Sequence, residues 1–209
     1  SHDTAMDVTL FTRQGVERIQ RFAFEIARSR PRKLLTLVTK SNAQRHGMVM
    51  WDEIFEEISQ DYRDITTDKM LVDAMTTRMV LDPQSIDTVV ASNLHADILT
   101  DLAASLSGSM GIAPTGNLDP EKRHPSMFEP IHGSALDIMG QGIANPIGSY
   151  WSAVMMLENL GELKASQRLM SAIEKLTSDK KILPKDLGGK SSTKEVTKAM
   201  VNIISGKNK

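Results

Sequence analysis

Residues 86–102, IDTVVASNLHADILTDL, set the tightest limits on what this chain can fold into. A β-branched apolar run over 86–91, with Ile86, Val89 and Val90 suited to a buried strand, stops at the polar pair Ser92-Asn93. A helical pattern begins at once, with Asn93 placed to cap it and Leu94, Ile98, Leu99 and Leu102 as its apolar stripe. Asp97 and Asp101 lie off that stripe, four residues apart and so on a shared face. A strand running straight into a helix is the unit of an α/β protein, whose ligands gather at the C-terminal ends of strands. An acidic pair at this spacing is ordinarily solvated surface with a mild like-charge penalty. Near a strand end it is also the donor type that a hard divalent cation takes.

The rest of the chain repeats the alternation. Thr12 caps a helix reaching about residue 28, with Val16, Ile19, Phe22, Ala23 and Ile26 as its apolar face, and Pro31 ends it inside the basic loop 28–33. Residues 34–38 read as a short strand, with Thr39-Lys40-Ser41-Asn42 leaving its C-terminal end. A helix over 51–59, a short strand near Ile65 and a Met-rich helix over 69–81 that carries Asp73 follow, and residues 8–11 read as a further strand. The second half offers a glycine-containing connector (108–116), a polar loop (119–125), a glycine-rich segment (128–146) and helices over 147–160 and 165–177. Ser192 with Glu195 forms a capping-box pattern for a last helix to about Ile204. Strands are scarce after Ala91, which leaves the second half without a sheet of its own.

Composition excludes several functions. A net charge of −1 over 209 residues gives no pull toward nucleic acid or an anionic membrane. The absence of cysteine excludes disulfides, thiolate zinc sites and a cysteine nucleophile. No apolar run reaches membrane-spanning length and no signal-peptide pattern opens the chain, so the cytoplasm is the expected compartment. Ser1-His2, with no initiator methionine, reads as the remnant of an expression tag. GQGIAN at 140–145 is not the GxGxxG fingerprint and lacks the strand that should precede it. The turn His132-Gly133-Ser134-Ala135 nevertheless offers backbone donors and small side chains to a ligand, and Asp137 follows as an acceptor suited to a ribose diol.

The strings TKSN, SNLHADILTDL, GIAPTGNL, FEPIHGSALDIMGQGIANP and WSAVMMLENLG together resemble the β-decarboxylating 2-hydroxyacid dehydrogenases, which include isopropylmalate, isocitrate, tartrate and D-malate dehydrogenases. FTRQGVERI, ARSRPRK, TKSN and Trp51-Asp52-Glu53 place it nearest the tartrate and D-malate branch. The resemblance implies an α/β fold, specifically the C-terminal part of the isopropylmalate dehydrogenase-like architecture. A small dimerising domain (1–105) would be followed by the helical return into the large domain (106–209), with the N-terminal part of the large domain lying upstream of this chain.

The resemblance also assigns roles. Lys40 matches the lysine that accepts the substrate hydroxyl proton, and Asn42 a residue near the nicotinamide. Asp97 and Asp101 match two carboxylate ligands of Mg²⁺ or Mn²⁺, and Asp73 a third that the partner subunit contributes, Lys40 and Asp73 of one subunit completing the site of the other; a monovalent cation such as K⁺ is a further expectation. Glu129, His132, Gly133, Ser134, Ala135, Asp137 and Asn145 match the cofactor segment. Asp137 favours NAD, since a carboxylate accepts from both ribose hydroxyls and repels the extra phosphate of NADP. Leu136 replaces the usual proline, and His95-Ala96 replaces a more usual Phe-Gly, with His95 expected to be a packed or solvated residue. The implied function is oxidation of a small 2-hydroxy dicarboxylic acid by a homodimer with shared sites, without nucleic acid or membrane partners. The substrate-gripping arginines and a proton-donating tyrosine would lie upstream, so this chain alone is expected to be inactive. Isopropylmalate dehydrogenase is the alternative within the class, and a non-catalytic dimerisation or regulatory subunit the alternative outside it. Retention of Lys40, Asp73, Asp97 and Asp101 speaks against the latter if these like charges are buried.

Overall fold

A computed structural model describes residues 3–206, so the Ser1-His2 pair read as a tag remnant lies outside the described residues. The chain divides into two compact units, Ser1–Leu102 and Ala103–Lys209.

The first unit is built on a parallel three-stranded sheet of β1 (Leu34–Thr39), β2 (Thr66–Leu71) and β3 (Thr88–Ala91), in the order β2-β1-β3. Parallel neighbours need a crossover, and α2 (Gly47–Ser59) and α3 (Val72–Leu81) supply the two that link these strands. α1 (Arg13–Ser29) precedes the sheet and α4 (Asn93–Leu106) leaves it. Residues 35–39 of the central strand are all buried. Its alternation sends Leu35 and Leu37 into a core with Phe24, Trp51, Ile54 and Phe55 of α1 and α2, while Val38 packs with Met75 of α3 and Leu99 of α4. Phe24 stacks on Phe55 at 5.1 Å and on Tyr62 at 4.7 Å, and the Arg28 guanidinium lies 4.4 Å from the outer face of Tyr62.

Several sequence expectations shift here. Thr12 does cap α1, accepting from the Gly15 amide, but the buried face is Val16, Gln20, Ala23, Phe24 and Ala27, with Ile19 and Ile26 exposed. Gln20 is buried because its Nε2 donates to the Trp51 carbonyl at 2.9 Å, a partner no periodicity reveals. Residues 8–11 form no strand, since no described strand lies alongside to bond them, and Val8 and Leu10 are exposed. α2 begins at Gly47, four residues earlier than its apolar pattern suggests. Lys69, Met70 and Leu71 belong to β2, not to the following helix, because Leu37, Val38 and Thr39 of β1 offer them parallel partners. β3 is confined to Thr88–Ala91, after a 3-10 turn at Pro83–Ser85. Asn93 is the first residue of α4 rather than its cap. α4 turns His95 and Leu99 inward and leaves Leu94 and Ile98 exposed. Leu94 and His95 differ by about 100° around the helix, and sequence spacing alone does not say which of two adjoining stripes meets the sheet.

The second unit does have a sheet, contrary to the scarcity of strand signals. β4 (Pro114–Asn117) and β5 (Met127–Pro130) pair antiparallel. Asp119 organises the intervening loop by accepting from the amides of Glu121, Arg123 and His124. α5 (Ile147–Asn159), α6 (Leu163–Asp179) and α7 (Thr193–Ile204) pack around Ile147, Val154, Ile173, Leu176, Val196 and Met200. Gly148 lets α5 meet the sheet, since a Cβ there would lie 2.9 Å from the Gly111 carbonyl oxygen and 3.3 Å from Pro130. The capping box is formed: the Glu195 amide donates to Ser192 Oγ, and the Ser192 amide donates to Glu195 Oε2 at 2.7 Å.

Two outcomes follow from these contacts. Ser192→Ala removes the cap of α7 and should cost about 1 kcal/mol, lowering the thermal midpoint by roughly 2–4 °C in calorimetry. The Arg28 fork binds both oxygens of Asp64, at 2.7 and 3.1 Å, and holds its carboxyl down to about 2. A depressed carboxyl stabilises the fold above the ordinary aspartate range, and that contribution disappears as pH falls from about 4 toward 2. Carboxyl NMR titration of Arg28→Ala should move Asp64 back toward the ordinary range, with Lys33 still holding it partly down, and weaken that acid-sensitive step.

Candidate functional site

In the first unit, the parallel register brings chemistry to one edge of the sheet. Thr39 lies opposite Leu71 and Val38 opposite Ala91, so all three chains leave the sheet at its C-terminal edge. Lys40 follows β1 directly, Asp73 lies in the first turn of α3 after β2, and His95 lies in the first turn of α4 after β3. Lys40 Nζ donates to Asp73 Oδ1 at 2.5 Å, with the lysine side chain three-quarters covered. That ammonium holds the Asp73 carboxyl below its usual range, assisted by the backbone amides at the start of α3. His95 is buried, and its imidazole is held below its usual range first by burial and then by the charge of Lys40. This packed histidine agrees with its sequence expectation, and its Nδ1 has no partner among the described residues.

The turn after β1 closes through the Lys40 carbonyl, which accepts from the amides of Ala43 and Gln44 at 2.9 Å each, and leaves Asn42 exposed. Asp97 and Asp101 share the exposed face of α4. Among the described residues no three His, Cys, Asp or Glu side chains converge to hold a metal. Asp73, Asp97 and Asp101 therefore do not form a three-carboxylate metal cluster within the described residues of one chain. All three carboxylates are exposed, so the cost of buried like charge, used above against a non-catalytic subunit, is not met in this chain.

In the second unit a cavity of about 940 Å³ opens between the 132–145 segment, the 3-10 turn at Met110–Ile112 and the start of α7. His132, Gly133, Ser134, Ala135 and Asn145 line it; Glu129, exposed on β5, and Asp137, exposed in the 3-10 turn Leu136–Ile138, do not. Ala135 adopts φ 44°, ψ 56°, a left-handed conformation that a residue with a Cβ takes only when its surroundings hold it there. Ile138, Met139 and Ile143 give the cavity apolar walls, in the size range of small-molecule sites.

Sequence reasoning missed the polar lock of this cavity. Asp186 Oδ2 accepts from Ser109 Oγ and, at 2.8 Å, from Asn145 Nδ2, while Asn145 Oδ1 accepts from the Ile147 amide at 2.9 Å. Thr193, at the start of α7, donates through its amide to the Gly142 carbonyl and through its hydroxyl to the Ala144 carbonyl. The Pro184-Lys-Asp-Leu-Gly188 turn was the available signal for Asp186, but nothing local pairs it with a serine 77 positions away. Gly111 sits under this lock, where a Cβ would come within 2.6 Å of Asp186 Oδ2 and 2.9 Å of Asn145 Cβ.

Comparison with known proteins accords with this architecture. Residues 1–203 match the family described as isocitrate/isopropylmalate dehydrogenase. A probable tartrate dehydrogenase/decarboxylase of Agrobacterium vitis is 62% identical over 206 residues, covering 99% of this chain and 57% of the relative. The D-malate dehydrogenase [decarboxylating] of Escherichia coli (strain K12) is 45% identical over 208 residues, covering 97% of this chain and 57% of the relative. The crystal structure of isocitrate dehydrogenase from Methylococcus capsulatus superposes with a TM-score of 0.90 at 39% identity, over 94% of this chain and 58% of that one. The chain belongs to the isocitrate/isopropylmalate dehydrogenase family, and its mixed α/β architecture is that of the family's solved structures. It spans a little over half the length of the curated relatives it matches.

The cavity geometry makes one prediction. Gly111→Ala should displace the Asp186 carboxylate and, because Asn145 Cβ moves only with its own backbone, shift the segment that Asn145 ties to α5 and cost stability. Amide NMR should show shifts concentrated at Ser109, Asn145 and Asp186, with a thermal midpoint below that of the unaltered chain.

Proposed function

We propose that this chain carries the lysine, metal-ligand and cofactor segments of an NAD- and Mg²⁺- or Mn²⁺-dependent dehydrogenase. Its substrate class would be small 2-hydroxy dicarboxylic acids of the tartrate and D-malate type. The observation that carries this is the Lys40–Asp73 contact: residues 33 positions apart, both assigned to the reacting site by resemblance, meet at the C-terminal edge of a parallel sheet. The names of the relatives favour tartrate or D-malate over isopropylmalate.

Each residue has a definable task. Lys40, in its free-base form, takes the proton of the substrate 2-hydroxyl as the hydrogen on the same carbon leaves as hydride. Asp97 and Asp101 present exposed oxygen donors one helical turn apart, a donor type that suits Mg²⁺ or Mn²⁺, and Asp73 of a second subunit would complete the set. A divalent cation held by these carboxylates would supply positive charge against the negative charge left on the substrate when carbon dioxide departs. Val80 and Leu81 of α3, with Leu94 and Ile98 of α4, are exposed apolar residues that support a homodimer with shared sites. The small-residue turn 132–135 and the apolar walls of the 940 Å³ cavity suit a dinucleotide, which when bound would supply the hydride acceptor. Asp137, exposed one residue before the cavity-lining Ile138, would reach its ribose hydroxyls from outside that lining.

The test uses this chain completed with the part of the Agrobacterium vitis relative that it does not span. NADH formation is expected with tartrate or D-malate; its absence with every 2-hydroxy dicarboxylate tried would refute the assignment. NAD should be preferred over NADP, and Asp137→Lys should narrow or invert the ratio of kcat/KM values by exchanging repulsion for attraction at the ribose 2′ position. Asp97→Asn should weaken Mn²⁺ binding, followed by water-proton relaxation, at least about tenfold. Its thermal midpoint should barely move, because the side chain is exposed. For the chain as it stands, sedimentation should report a dimer.

A further inference from the structure

One buried carboxylate outside the assigned site touches both segments that carry the Lys40–Asp73 pair. Asp52 sits on α2 with its side chain 12% exposed. Its Oδ2 accepts from Ser41 Oγ at 2.9 Å, and Ser41 directly follows Lys40. The same oxygen lies 3.3 Å from Lys69 Nζ, on β2 four residues before Asp73. One side chain on one helix therefore holds the turn that leaves β1 and the strand that leads into α3.

The helix beneath it is itself fixed. Gln20 Nε2 bonds the Trp51 carbonyl, Phe11 meets the Trp51 ring edge-on at 5.8 Å, and Gly47 has no room for a Cβ against the Phe11 ring. Asp52 thus refers the Lys40 turn to a rigid element rather than to solvent. The arrangement is not one that stability alone would favour, because Asp52 Oδ1 is buried without a partner among the described residues. Partial burial is the largest single influence on Lys69 and disfavours its charged form, but the attractions of Asp52 and then Glu56 together outweigh it and hold the ammonium above its usual range. The cluster is consequently a charged one, in which the ammonium compensates a carboxylate that the Ser41 hydroxyl alone would leave under-satisfied.

We propose that Asp52 is a positioning residue that, through Ser41 and Lys69, sets the geometry in which Lys40 meets Asp73. Its consequence for turnover rests on the role proposed above for Lys40; its geometric part does not. Asp52 touches neither Lys40 nor any reacting atom in this arrangement. It acts on the turn, so its loss should alter how Lys40 is presented and not how the cofactor cavity binds.

The experiment compares Ser41→Ala, Ser41→Thr and Asp52→Asn with the unaltered protein. Trace acetylation of the 209-residue chain with acetic anhydride, read by mass spectrometry, gives the rate at Lys40 relative to the exposed Lys122. Ser41→Ala and Asp52→Asn should raise that ratio about fivefold, the scale of one lost hydrogen bond. Ser41→Thr, which keeps the hydroxyl, should restore it. In the completed protein, kcat should fall at least about tenfold in Ser41→Ala with KM for NAD unchanged. Ser41→Ala keeps the test decisive if Asp52→Asn does not fold. An unchanged Lys40 ratio in folded Ser41→Ala overturns the proposal, as does an equal rise at Lys122, which would signal general loosening. If the completed unaltered protein turns over no 2-hydroxy dicarboxylate while the Lys40 ratio still rises, the functional assignment fails and the positioning role stands.

Discussion

The first unit depends on β1 being covered on both faces. A strand buried from residue 35 to 39 needs hydrogen-bonding neighbours on each side and apolar partners above and below, and β2, β3, α1, α2, α3 and α4 supply them. Because both pairings are parallel, every chain leaves the sheet in the same direction. Polar residues that would be intolerable within the sheet can therefore gather where it ends. Lys40, Asp73 and His95 are neighbours for that reason, although none lies close to another in sequence.

The second unit reaches its cavity by different means. Its two-stranded sheet is too small to organise a site by strand ends, and the cavity is instead bounded by loops tied at their ends by side-chain hydrogen bonds. Asp186 gathers Ser109 and Asn145, Asn145 in turn supports the first amide of α5, and Thr193 pins the 142–144 segment to the start of α7. The Gly111 position has no spare volume under this lock, so the small residue there belongs to the cavity as much as the residues that line it.

Much of the architecture was legible because it rests on local signals. Thr12, the strand read at 34–38 and found one residue longer, the α5 and α6 patterns and the Ser192–Glu195 box all behave much as their spacing indicates, since caps and periodicity act within one turn. Expectations failed where the outcome depends on a distant partner. Lys69, Met70 and Leu71 carry a helical pattern yet extend along β1, and residues 8–11 carry a strand pattern yet find no described neighbour. β4 and β5, four residues each, are too short for an alternation to register and exist because they pair.

The sequence by itself determined the α/β class, the Thr12 and Ser192 helix caps, the family motifs and the candidate set Lys40, Asn42, Asp73, Asp97, Asp101 and the 129–145 segment, because each is written in contiguous residues. Only the tertiary structure decided which of these meet. It joined Lys40 to Asp73, buried His95 and left Asp97 and Asp101 on an exposed face; it also added Asp52, Ser109 and Asp186, which no motif had singled out by role. The physical reason is the difference between local and long-range contact. A cap or a stripe is set by neighbours three or four residues away, whereas strand register, helix rotation and side-chain locks are chosen only when distant segments compete for the same buried surface.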